Sequence, residues 1–104
     1  MSGVCVVTTT VGSEEAAESL ARNIVEARLG ACVQIVPIRS VYRWEGEVHV
    51  DAEWQCVVKT SAIRADELVA HIKAQHTYDV PEVVVTPVVG GNDDYLAWVS
   101  EETS

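Results

Sequence analysis

The amino-acid sequence predicts an α+β chain of the ferredoxin-like kind, with elements in the order βαββαβ and a short helix at the C-terminus. Three observations lead there. Apolar and polar residues alternate along Glu47–Lys59, as in a strand with two unlike faces. The stretches Ala17–Val25 and Ala65–Ile72 repeat apolar residues at helical spacing. Valine-rich runs at Val4–Val11 and Val83–Val89 supply the first and last strands. One domain covering residues 1–104 holds all of these.

The first strand is Val4–Val11, apolar and threonine-rich. Ser13 then caps a helix whose first turn carries Glu14 and Glu15 at the positive end of the dipole. Ala17, Leu20, Ala21, Ile24 and Val25 form its apolar stripe, and Arg28 with Gly30 marks its end. A second strand begins at Ala31 and runs to Trp44 with an interruption at Pro37. Glu45-Gly46 makes a tight hairpin, glycine being free to take a positive φ. On the third strand Val48, Val50, Ala52, Trp54, Cys56 and Val58 share one face, and only Val57 breaks the polar face opposite. The second helix carries Ala65, Leu68, Val69 and Ile72 on one side and ends at His76. After the last strand, a short helix starting at Asn92 lines up Tyr95, Leu96 and Val99.

The third strand is too long for a compact body of this size. From Glu47 to Thr60 it extends roughly 45 Å at ~3.3 Å per residue, against a radius of gyration of about 13 Å for 100 residues. The hairpin must bend sharply or project. A projecting arm bearing Tyr42, Trp44, Val48 and Val50 seeks a neighbour, so self-association is expected.

Composition bounds the function. Apolar residues at 48% against 22% charged exclude a disordered chain. No apolar run approaches the ~20 residues of a membrane helix. Met1-Ser2-Gly3 leads into a strand with no basic segment or cleavage signal, which gives a cytoplasmic location as the expectation. A net charge of −9 with only seven scattered Lys and Arg residues argues against nucleic acid as a partner. Cys5, Cys32 and Cys56 include no CxxC pair, and each reads as a small buried hydrophobe. His49 and His71 fall on polar faces and read as solvated. Asp93-Asp94 fits the start of a helix and lacks the spacing of a calcium loop. No phosphate loop and no nucleophile–base spacing is present, so the chain is not expected to be an enzyme.

The richest segment chemically is His76-Thr77-Tyr78-Asp79-Val80-Pro81-Glu82. Together with Ala31-Cys32-Val33, Arg39-Ser40-Val41-Tyr42-Arg43-Trp44-Glu45-Gly46 and Lys59-Thr60, in this order along nearly the whole chain, it resembles the CutA divalent-cation tolerance family. The resemblance implies a homotrimer, similar in form to the signal-transducing PII proteins, whose long hairpins interlock through Tyr42, Trp44, Val48, Val50 and Trp54. It also implies that His76 and Glu82 face a cleft between subunits and hold a divalent ion there, Cu(II) first and Zn(II) second. Two ligands from one chain make a weak site that water or a neighbouring subunit must complete. Some relatives carry a thiol where Thr9 stands and a second imidazole where Gln75 stands, so a soft Cu(I) or mercury site is not expected. The alternative is a PII-like binder of small metabolites or anions, with Lys59 and Arg39 near the same cleft, or a trimer used as a scaffold.

Overall fold

The computed structural model describes residues 2–104. Its elements are β1 (Val4–Val11), α1 (Glu14–Glu26), β2 (Cys32–Trp44), β3 (Glu47–Ser61), a 3-10 turn (Ala62–Arg64), α2 (Ala65–Gln75), β4 (Val83–Pro87) and α3 (Asp93–Glu102). The strands form one antiparallel sheet in the order β2-β3-β1-β4. This is the predicted α+β architecture with its long hairpin and C-terminal helix.

The register divides the side chains between two faces. Cys5 lies opposite Thr60, Val7 opposite Val58 and Thr9 opposite Cys56, so these share the face that α1 and α2 cover. Val7, Ile24, Cys56, Val58, Leu68 and Ile72 are fully buried there, each side chain worth roughly 1.5–3 kcal/mol of transfer free energy. The opposite face carries Val4, Val6, Thr8 and Thr10 of β1. α3 crosses it at one end, where Ser61 and Thr103 share a hydrogen bond between hydroxyls and Thr103 is fully buried.

Local chemistry explains the joints. Ser13 accepts from the Ala16 N–H at 3.1 Å and starts α1. Asn92 accepts from the Asp94 and Tyr95 N–H groups and starts α3. At the β2–β3 turn both Glu45 (φ 50°) and Gly46 (φ 81°) are left-handed, the pairing that matches strand twist in a two-residue hairpin.

Several expectations need correction. The strand through Pro37 is unbroken, because β2 is an edge and a missing N–H there costs no ladder bond. α1 ends through Arg28 in the left-handed region (φ 60°), with Leu29 N–H bonded to Ile24 C=O and Arg28 N–H to Val25 C=O. Gly30 therefore serves packing: a Cβ on it would lie 2.5 Å from Val58 Cγ1 and 2.8 Å from Ile24 Cγ2. β4 stops at Pro87, short of Val89. Cys32 is only half-buried and sits on the face away from the core, unlike Cys5 and Cys56, whose thiol pKa values burial raises. His71 is half-buried and bonds Asn23 Oδ1 at 2.6 Å, tying α2 to α1.

The hairpin projects. β1 accompanies β3 only as far as Val11 opposite Trp54. Beyond it, Ile38–Trp44 and Glu47–Glu53 pair with each other alone. The molecule accordingly measures 44 × 25 × 22 Å, with a radius of gyration of 14.1 Å.

Candidate functional site

A hollow of about 880 Å³ opens where the base of this arm meets the segment between α2 and β4. Ser40, Tyr42, Trp44, Asp51 and Glu53 reach it from the hairpin, Thr10 from the end of β1, and Thr77 through Glu82 from the connecting segment. The register puts Tyr42, Trp44, Asp51 and Glu53 on the sheet face that α1 and α2 leave free.

The connecting segment is pinned by two residues. His76 caps α2, and its Nε2 donates to the Thr10 carbonyl at 2.7 Å while its Nδ1 accepts from the Tyr78 N–H at 3.1 Å. These two bonds define the Nε2-protonated tautomer and occupy both ring nitrogens. Tyr78 then reaches back across the hollow, donating its hydroxyl to Glu53 Oε2 at 2.9 Å. Gly12 leaves room for it, since a Cβ there would stand 3.3 Å from the Tyr78 oxygen. Burial, then the hydrogen bond to Glu53 and its charge, push the Tyr78 phenol up to about 12. A second phenol repeats the arrangement: Tyr42 donates to Asp51 and stacks on His49 with ring centroids 5.4 Å apart. Its pKa is also raised, first by that hydrogen bond, then by burial and by the charges of Asp51 and Glu53.

The electrostatics are one-sided. Asp51, Glu53, Asp79 and Glu82 line the hollow, and among the described residues no Lys, Arg or His does. Lys59 is engaged by Gln34 Oε1, and Arg39, paired with Ala52, lies on the other face of the sheet. Within one subunit the charge on this hollow is therefore negative.

A match to the family model described as "CutA1 divalent ion tolerance protein" runs over residues 5–102. The chain belongs to this family. Among curated relatives of the CutA family, the divalent-cation tolerance protein CutA of Thermus thermophilus is 48% identical over 99 residues, covering 94% of this chain and 96% of the relative. The chloroplastic CutA proteins of Arabidopsis thaliana and Oryza sativa are 48% and 50% identical, each over 94% of this chain. The chain spans only 54% and 56% of those two plant relatives' own length. Solved CutA structures superpose closely. That of Thermus thermophilus gives a TM-score of 0.93 at 47% identity, covering 97% of this chain and 99% of that one. That of Xylella fastidiosa gives 0.95 at 32% identity, covering 98% and 99%.

The residues singled out from the CutA resemblance are distributed unevenly. Glu82 lines the hollow, whereas His76 stands behind its wall as the lock that holds Thr77–Glu82 in place. Among the described residues no group of three or more His, Cys, Asp and Glu side chains is arranged to hold a metal ion, so one subunit offers at most part of a coordination shell. Tyr42 and Trp44 lie on the hollow side of the arm, with Val48 and Val50 on the reverse side. Trp54 packs against the subunit's own core. Thr9, where some relatives carry a thiol, is fully buried beneath the helices with its Oγ1 unpartnered. Asp51 and Glu53 are not legible as site residues, because in the sequence they belong to the polar face of β3; Asp79 lies in the segment singled out for its chemistry but is not assigned as a ligand from the sequence.

Proposed function

We propose that this chain is a homotrimeric divalent-cation binder that contributes to metal-ion tolerance by weakly buffering or sensing the ion in clefts between subunits. The observation that carries the reading is the set of four carboxylates on one hollow without a cationic side chain among its lining residues. Family membership supports the ligand class, since relatives bear the name divalent-cation tolerance protein. Carboxylates suit hard divalent ions, and among first-row metals an oxygen site still binds copper most tightly, with zinc behind it. Glu82 and Asp79 are the donors on the connecting-segment side of the hollow and Glu53 the donor on the sheet. His76 is a positioning residue; for its Nδ1 to bind metal, the Tyr78 N–H must first let go. A second subunit or water completes the shell.

The test is calorimetric titration of Cu(II) and Zn(II) into wild type, Glu82→Gln and His76→Ala, at fixed pH in a weakly coordinating buffer. Saturable binding that weakens at least tenfold in Glu82→Gln supports the site. Heats that are equal in wild type and Glu82→Gln reduce it to diffuse attraction by an acidic surface and overturn the reading. Nitrogen hyperfine structure in the Cu(II) paramagnetic spectrum, absent in His76→Ala, would move His76 from positioning residue to ligand.

A further inference from the structure

Glu53 is a carboxylate with no counter-charge among the described residues. It is 9% exposed, and Tyr78 satisfies one of its oxygens. Its other oxygen, Oε1, has no hydrogen-bond donor among the described residues, and the one ion pair among them, Arg64–Glu67, lies elsewhere. That oxygen is not sealed off: Thr9 Oγ1 is the one fully buried side-chain nitrogen or oxygen without a partner among the described residues, so Glu53 Oε1 stays open at the wall of the hollow. A cation entering the hollow that Glu53 lines therefore meets an oxygen with no donor of its own among the described residues.

The walls of that hollow describe what would bring it. Between the hairpin carboxylates Asp51 and Glu53 and the Asp79 and Glu82 carboxylates of the connecting segment lie aromatic and apolar surfaces, chiefly Tyr42, Trp44, Tyr78 and Pro81. A bare metal ion makes no use of such surfaces, while an ammonium group is attracted to the face of an aromatic ring and methylene groups are desolvated against it. About 880 Å³ also lies in the range of cavities that hold organic ligands, well beyond one ion. The rings are fixed in advance, Tyr42 by Asp51 and by stacking on His49, Tyr78 by Glu53, so little order has to be imposed on binding.

We propose that the hollow binds a small organic polycation, an unbranched aliphatic chain carrying two or more ammonium groups, with one ammonium on Glu53 and its methylenes along Tyr42 and Trp44. This rests on reading the hollow as a cation site and names for it a second ligand class, which competes with the metal.

Spermidine is the probe, titrated calorimetrically into the full chain in its native assembly. Wild type, Glu53→Gln and Trp44→Leu are compared, with Zn(II) titrated in parallel. The expected result is saturable binding, weakened about tenfold or more in each variant, and upfield shifts of the spermidine methylene protons from the aromatic rings. The uncharged chain 1,8-octanediol, a control that needs no variant, is expected not to bind. Spermidine heats that do not saturate, or that are unchanged in Glu53→Gln, overturn the proposal. If Zn(II) binding and its loss in Glu82→Gln persist in that case, the metal reading stands alone; if Zn(II) also fails to saturate, both fall. Absence of methylene shifts, or unchanged affinity in Trp44→Leu, overturns the aromatic part of the site.

Discussion

Tyr78 joins three chain segments through one side chain and its own N–H: the end of α2 through His76, the arm through Glu53, and the β1–α1 turn through its approach to Gly12. Its protonation therefore reports on whether this corner is folded. The folded phenol titrates at about 12 against an ordinary 10, so between these values the unfolded chain has lost the proton and the folded one retains it. The unfolded state then binds fewer protons, and stability falls as pH rises. The contribution is fully present below pH 10 and is gone above about 12. Tyr78→Phe is expected to flatten the decline of unfolding midpoints across this window relative to wild type. Parallel declines in the two proteins would mean that other groups carry it. None of this coupling is written locally: Tyr78 and Glu53 are 25 residues apart, and the alternation of β3 assigns Glu53 only to a polar face. The fold later covers part of that face with the 77–82 segment, and a period-two pattern holds no information about such long-range cover.

The elements themselves were far more legible, because each is announced by short-range chemistry. Ser13 and Asn92 cap where their side chains suggest, and the Glu45-Gly46 turn closes β2 onto β3 as the expected tight hairpin. Where the reading slipped, the reason was again tertiary. Pro37 breaks a central strand but not an edge, and strand order is not visible in the sequence. Gly30 looked like a helix stop, whereas Arg28 takes the left-handed position and Gly30 lets the chain pass against Val58 and Ile24. The two roles predict different mutants. If Gly30 were only a conformational stop in open space, alanine would be tolerated at its unexceptional φ. Given contacts of 2.5 and 2.8 Å for the new Cβ, Gly30→Ala is expected to destabilise by about 1–3 kcal/mol, the range for overpacking a filled core. Thermal unfolding at matched protein concentration measures it, with Gly90→Ala, whose Cβ meets nothing within 4 Å, as the neutral comparison.

For the whole molecule, the arm raises a question of solvation that a single subunit does not answer. On its reverse side Val41, Val48 and Val50 are each at least 60% exposed, forming an apolar strip on a two-stranded ribbon that its own core does not reach. Both β2 and β4 are sheet edges with free backbone groups, the usual templates for pairing with another chain. Covering this strip and these edges in a closed assembly of like subunits removes both liabilities, and a threefold ring does so with identical contacts. The division of the arm into two sides makes the prediction specific. A charge on the reverse side strikes assembly directly, because an unpaired carboxylate would be buried in an apolar contact. Val50→Asp is therefore expected to shift the mass of the proposed trimer, measured by light scattering, from three chains to one. Its hollow-side neighbour Asp51→Asn is expected to leave the mass unchanged while weakening the proposed cation binding. A Val50→Asp protein that keeps the wild-type mass would place the subunit contact elsewhere, and the edges of β2 and β4 would be the next surfaces to test.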